Sequence, residues 1–293
     1  MKIKVLQADT RDIILQLQSR NLYYGSASDY SYESLMKNNE GELFHPEDAQ
    51  RTLSLCCLVT MMKCKLLGIA YEFVKGNAED WNFPKIHNNA NVYDSSLDST
   101  KRNVTWLKPR VLLEQMSSEE NKSVDIFCIL DTDAWIRDDR RFQEFLDTFS
   151  KSPAIIAMAE DVERSTLLNS GFIAIKNNVK GRQIIDKIYN DPKYSRYYTV
   201  VYHEQSALCD YYLENKDEFM ILPLNDFNTP CGSVVRHAWL HGLYYKLVVD
   251  EILGVFTKLC LGCLDGSVYK IGGNVLVYDL SAECGKIPQI KKY

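Results

Sequence analysis

Apolar and polar positions fall along this chain in blocks that read by turns as strands and helices. The opening residues, MKIKVLQAD, read as a first strand. After a polar, tyrosine-rich stretch over about 21–45, Pro46-Glu-Asp-Ala opens a long helix, with proline and acidic residues in its first turn. That helix is apolar on nearly all sides, which predicts a central buried position, and Gly68 closes it. A strand over 69–74 follows, then an irregular polar stretch over 76–102, a length usual for functional or mobile loops. A helix over 106–116 leads into VDIFCILDTDAWI (124–136), whose nearly continuous apolar run suits a strand buried on both faces of a parallel sheet. Beyond it the pattern predicts a helix over 138–150, strands over 154–159 and 170–176, a helix to about residue 189, a helix over 203–213 and a strand over 219–223. Ile252, Val255, Phe256, Leu259 and Cys263 fit one face of a helix over 247–264, and 268–280 reads as a hairpin turning at Gly272-Gly273. Strands alternating with helices predict an α/β fold with a mainly parallel central sheet flanked by helices. The economical reading is a catalytic domain over 1–246 with a C-terminal helix and β-hairpin over 247–293 packed on it.

Composition changes this picture little. The 293 residues are 46% hydrophobic and 25% charged with a net charge of −5, the make-up of an ordinary globular protein. The mildly acidic balance gives no reason to expect a nucleic-acid partner. Nine cysteines in no paired framework point to a reducing compartment, and Cys56, Cys57, Cys64 and Cys128 lie in apolar runs where cysteine acts as a small hydrophobe. The first strand has no apolar signal region behind it, and the apolar stretch 53–67 is broken by Lys63 and Lys65 and too short to span a bilayer. The expectation is a soluble, cytoplasmic protein without a transmembrane segment.

The candidate chemistry begins at Asp131 and Asp133. On an extended chain, residues i and i+2 point the same way, roughly 6.6 Å apart at about 3.3 Å per residue. Two carboxylates leaving the carboxyl end of a buried strand are placed to share a hard divalent cation, at the edge of an α/β sheet where ligands bind. Aspartates after strands also cap turns and helices. Cys260-Leu-Gly-Cys263 has a metal or redox spacing but no second pair beside it. Tyr23, Tyr24, Tyr30, Tyr32 and Trp81 offer aromatic faces of the kind carbohydrate rings pack against.

Five segments in order give the pattern more meaning: Trp106 and Lys108 at the head of the helix before the Asp-x-Asp strand; Asp131-Thr132-Asp133; Asn169-Ser170-Gly171 in an apolar strand; His203-Glu204-Gln205-Ser206-Ala207-Leu208; and His241-Gly242. Over about 46–246 the chain resembles GT-A nucleotide-sugar glycosyltransferases, especially the galactosyl- and xylosyltransferases of family 34. His203-Glu204 departs from the acidic pair that family carries before its glutamine.

The resemblance implies a GT-A, Rossmann-like fold and transfer of a sugar, galactose or xylose first, from a UDP-sugar to a glycan or glycoprotein hydroxyl. It implies Mn²⁺ or Mg²⁺ on the donor diphosphate, neutralising the charge that grows on the leaving group. Asp133 would be the direct metal ligand, Asp131 would bind the donor ribose or the metal through water, and His241 would be the third ligand, with His237 as its competitor four residues earlier. Lys108 and Lys246 would contact the diphosphate, and Asn169 and Ser170 the sugar, with His203 also on the donor side. Glu204 as a general base would give inversion; Gln205 supporting the reaction centre would accompany retention, which the resemblance favours. The oligomeric state stays open, a dimer included, and the absence of an anchor fits a viral or bacterial enzyme acting in a cytoplasm. Two alternatives remain: a haloacid-dehalogenase-like phosphatase with Asp131 as nucleophile, and a non-catalytic sugar-nucleotide binder of the same fold.

Overall fold

A computed structural model describes residues 1–10, 46–82, 100–162, 166–199 and 202–238, together with the strands Tyr269–Ile271, Asn274–Leu276 and Ile290–Lys291. Six strands form the central sheet: β1 (Ile3–Asp9), β2 (Ala70–Lys75), β3 (Ile126–Leu130), β5 (Ile156–Glu160), β6 (Leu168–Lys176) and β7 (Phe219–Leu222), in the order β2-β1-β3-β6-β5-β7. β1 pairs in parallel with β2 and β3, and β5 with β7, whereas β6 runs antiparallel between β3 and β5. The mainly parallel sheet expected from the pattern is therefore present, with one reversed strand at its middle. Nothing in the apolar run of β6 announces the reversal, because a strand covered on both faces reads the same in either direction.

The helices are α1 (Pro46–Leu66), α2 (Leu107–Ser117), α3 (Asp139–Lys151), α4 (Val179–Asn190), α5 (His203–Glu214) and the short α6 (Leu224–Phe227). Each predicted helix or strand within the described residues is found, with bounds shifted by a residue or two. Gly68, at φ +66, ends α1 in the left-handed conformation that glycine adopts without steric cost. Lys65 accepts its N–H through the carbonyl at 3.2 Å.

Alternation along the strands divides the core in two. Phe127, Ile129, Ile156, Met158, Ile173 and Ile175 point to one face and pack with Leu112 of α2, Ile184 and Ile188 of α4 and Leu208 of α5. Ile126, Cys128, Leu130, Ala157, Phe172 and Ala174 point to the other, against Cys64 of α1 and Phe142, Phe145 and Phe149 of α3. The result is three layers, helix–sheet–helix, which is how a two-faced apolar sheet is removed from water. Cys56, Cys57, Cys64 and Cys128 are buried, and burial, with Asp139 adding to it, pushes the Cys64 thiol up to about 12. These cysteines are core side chains. Trp81 is also core, 5% exposed, so it offers no face to a sugar. No helix among the described residues is long and apolar enough to cross a membrane.

A second, two-stranded sheet pairs β4 (Ala134–Ile136) with β8 (Val235–His237), antiparallel. In the C-terminal region β9 (Tyr269–Ile271) and β10 (Asn274–Leu276) pair antiparallel where the hairpin was expected, and β11 (Ile290–Lys291) adds to β10. The expected helix over 247–264, Cys260, Cys263 and tyrosines 23, 24, 30 and 32 lie outside the described residues.

Candidate metal centre

At the end of β3 the chain turns sharply between Asp131 and Ala134. Ala134 donates its N–H to the Asp131 carbonyl at 3.0 Å, and Asp131 donates its own to the Gly171 carbonyl of β6 at 2.9 Å. Buried Gln7 of β1 clamps this turn: its Nε2 donates to the carbonyls of Asp131 (2.9 Å) and Ala134 (3.0 Å). The Tyr71 hydroxyl donates to Gln7 Oε1 at 3.0 Å and so fixes which end of the amide faces the turn. Thr132, between the two carboxylates, donates Oγ1 to Asp9 Oδ2 at 3.1 Å. The main chain under Asp131 and Asp133 is thus held from two strands.

The two-stranded sheet brings in an imidazole. Ala134 of β4 lies opposite His237 of β8, and Ala238 donates its N–H to the Asp133 carbonyl at 2.9 Å. His237 Nε2 stands 3.2 Å from Asp133 Oδ1 and 3.5 Å from Asp131 Oδ2. The ligand atoms of Asp131, Asp133 and His237 lie within 4.8 Å of one another, close enough to hold a metal ion. Two hard carboxylates with one imidazole form a donor set that suits a divalent cation. His237 is 6% exposed. Burial opposes charge on its ring, but Asp133 and then Asp131 outweigh that and raise its pKa. Burial likewise pushes Asp133 up, and the His237 ring overrides it and holds the carboxyl below its ordinary range. A proton on Nε2 thus occupies the place a metal would take, so the two compete.

Behind the triad lies a second charged cluster. Lys108, in the first turn of α2, reaches Asp131 Oδ1 (2.6 Å), Glu204 Oε1 (3.0 Å), and the Ser170 carbonyl and Oγ (both 3.0 Å). Burial would strip its proton, but Asp131 and Glu204 prevail and raise its pKa. Glu204 is 2% exposed. Burial raises its pKa, yet Lys108 outweighs that and brings it below the usual carboxylate range. Gln205 Oε1 accepts from the Ser170 N–H (2.9 Å) and Oγ (3.2 Å), while its Nε2 donates to Asp161 Oδ2 (3.0 Å) and Thr166 Oγ1 (2.6 Å). Asn169 donates Nδ2 to Asp161 Oδ1 at 3.1 Å and accepts the Gly171 N–H at 2.7 Å.

Of the residues picked from sequence, Lys108, Asp131, Asp133, Ser170, Glu204 and Gln205 converge, and Asn169 joins them through Asp161. His203 begins α5 with φ +35, after Tyr202 at φ +61, so this helix starts in left-handed backbone that non-glycine residues rarely adopt. Its ring is neutral near pH 7, with burial depressing the pKa to about 4, and its buried Nδ1 has no hydrogen-bond partner among the described residues. His241 and Lys246 lie outside the described residues. His237 ends the strand Val235–His237. Sequence reasoning missed Gln7, Asp161 and Asn228. The apolar Val234-Val235 before Arg236-His237 is the one signal that could have marked β8.

No protein-family model matches the chain, and no curated protein matches its sequence. Solved structures do match it. A glycosyltransferase involved in the glycosylation of the major capsid of PBCV-1 aligns over 87% of this chain and 100% of its own, with a TM-score of 0.51 at 10% identity. The fold is GT-A-like. Mouse xyloside xylosyltransferase 1, apo form, aligns over 39% of this chain and 52% of its own, with a TM-score of 0.29 at 13% identity. GlyE of Streptococcus pneumoniae TIGR4 aligns over 86% and 63%, with a TM-score of 0.37 at 13% identity. The shared fold rests on the first of these.

Proposed function

We propose that this chain is a metal-dependent glycosyltransferase that moves a sugar from a UDP-sugar to a glycan or glycoprotein hydroxyl. The observation that carries the reading is the Asp131–Asp133–His237 triad at the carboxyl edge of the sheet, in a fold shared with a known glycosyltransferase. Asp133 and His237, with the Oδ2 of Asp131, would hold the ion. Mn²⁺ is the favoured cation because imidazole beside carboxylates tilts the choice away from Mg²⁺. When bound, the ion supplies positive charge against the leaving diphosphate.

The protein's own residues then divide the work. Lys108 takes up Asp131 Oδ1 and leaves Oδ2 turned to the triad. Glu204 is ion-paired and buried, with its proton affinity lowered, which makes it a weak base and a good counter-charge for Lys108. Gln205 has both ends of its amide engaged and holds Ser170 and Asp161 in place. These features support the retaining outcome over an inverting one with Glu204 as base. Galactose and xylose are the first donors to try, by family resemblance. A nucleophilic role for Asp131 in phosphate chemistry gains nothing from the site, since one oxygen is held by Lys108 and the other faces His237.

The test is UDP release over a panel of UDP-sugars, with Mn²⁺ and then with EDTA. Turnover of one donor that EDTA abolishes is the expected result. Failure to turn over or bind any UDP-sugar would overturn the reading.

A further inference from the structure

His237 is held by residues outside the metal ligands: Asn228, which no sequence motif singled out, and Gly171 of the Asn169-Ser170-Gly171 segment. Asn228 follows α6 and is 1% exposed. Its Oδ1 lies 2.7 Å from His237 Nδ1. The orientation of that amide is set from the other end, where Nδ2 donates to the Glu160 carbonyl at 3.0 Å and faces Asp161 Oδ1 at 3.4 Å. An oxygen therefore meets Nδ1, and an oxygen can only accept, so Nδ1 must carry the proton. A neutral ring so fixed has its lone pair on Nε2, the nitrogen that faces Asp133 and Asp131.

The local fold explains how Asn228 meets His237. The Thr229 carbonyl accepts N–H groups from both Gly232 (2.9 Å) and His237 (3.1 Å), which folds the segment back on itself. The ring also lies against Gly171 of β6. A Cβ built there would lie 2.2 Å from His237 Cε1 and 2.3 Å from Nδ1, so the ring rests directly on glycine backbone. Any side chain at 171 would push the imidazole off that surface.

We propose that Asn228 and Gly171 are the positioning residues of His237: Asn228 selects the Nδ1–H tautomer and Gly171 fixes the ring's seat, so that Nε2 is presented to the metal position. This rests on the metal-dependent reading above and names the residues that make the imidazole a competent ligand. Outer-shell partners of a metal-binding histidine typically matter about 10–100-fold in metal affinity.

The experiment compares wild type, Asn228→Ala and Gly171→Ala by two readouts. The first is the His237 tautomer in metal-free protein, from long-range ¹H–¹⁵N correlations at a pH where the ring is neutral. The five histidines of the chain are separated by the signal lost in His237→Gln. The second is affinity for Mn²⁺ alone, by calorimetry. Wild type is expected to show Nδ1–H, Asn228→Ala to shift toward Nε2–H, and both variants to weaken Mn²⁺ binding by about 10–100-fold. Wild type in the Nε2–H form, or variants matching wild type in both tautomer and Mn²⁺ affinity, would overturn the proposal. A wild type that binds no Mn²⁺ yet shows the Asn228-dependent tautomer would sink the metal reading and leave the positioning role intact.

Discussion

Lys108 divides the two oxygens of Asp131: its Nζ lies 2.6 Å from Oδ1, while Oδ2 is turned toward His237 Nε2 at 3.5 Å. The same ammonium is 3.0 Å from Glu204, so one buried cation joins the Asp131–Asp133–His237 triad to the head of α5. A carboxylate held by one oxygen offers the other as a single, directed ligand.

Removing that cation should be costly. Lys108 and Glu204 have side chains only 7% and 3% exposed, and deleting one partner of a buried pair strands the other. Lys108→Met is expected to lower unfolding free energy by about 3–5 kcal/mol. Adding Glu204→Gln should recover part of the loss, because the buried carboxylate is then neutral, while Asp131, its side chain 30% exposed, keeps His237 beside it. Urea denaturation of the single and double variants checks this. Equal stability of Lys108→Met and wild type would mean the pair is hydrated in solution.

Asp133→Ala should remove metal-dependent turnover while leaving the fold intact, since its carboxylate is bonded through His237 and its carbonyl bond to Ala238 needs no side chain. Retained activity in the variant with EDTA present would end the metal hypothesis. Because proton and metal compete for His237, Mn²⁺ affinity of the wild type should rise as pH is raised through the titration of that ring. Calorimetry over a pH series reads the slope.

What the sequence shows clearly here is whatever repeats or persists. The apolar run of β3 marked a buried strand, and Asp131 and Asp133 at its end are two of the three side chains that could hold a metal ion. Lys108 and the Asn169-Ser170-Gly171 segment were found through resemblance, and the fold brings them to the same place. His237 could not be separated from His241, because β8 is three residues long and has no measurable period. Its position depends on pairing with β4, a contact between segments far apart in sequence. Asp161 and Asn228 are single polar residues after short elements, and only the folded chain shows what they touch. Trp81 misled for the same reason: an aromatic in a polar loop reads as exposed, yet tertiary packing buries it.

His203 predicts a pH dependence of stability. Its folded pKa of about 4 lies below the ordinary histidine value of about 6.5, so the unfolded chain binds the proton more readily. Above about pH 6.5 both states are neutral at this residue and it costs nothing. As pH falls from there toward about 4, unfolding takes up a proton and stability declines. His203→Gln should flatten that part of the curve. Urea midpoints for the two proteins between pH 7 and 4.5 test it, and parallel curves would show that His203 is solvated in the native state.

Gln7 gives the last prediction, because it acts on the site without touching a ligand atom. Its amide donates to the Asp131 and Ala134 carbonyls and is oriented by the Tyr71 hydroxyl. Leucine at this position keeps the bulk but leaves two buried carbonyls and one phenol without that partner, at about 1–3 kcal/mol per unsatisfied group. The turn between β3 and β4 also sets the distance between the two carboxylates, and β4 carries the pairing that seats His237. Gln7→Leu should therefore weaken Mn²⁺ binding as well as stability, whereas an ordinary core substitution of equal cost would lower stability alone. Measuring both in Gln7→Leu and in Phe172→Ala, which truncates a buried ring in the helix–sheet core, separates the two cases. A Gln7→Leu protein that binds Mn²⁺ as tightly as the wild type would show that the turn keeps its shape without the clamp.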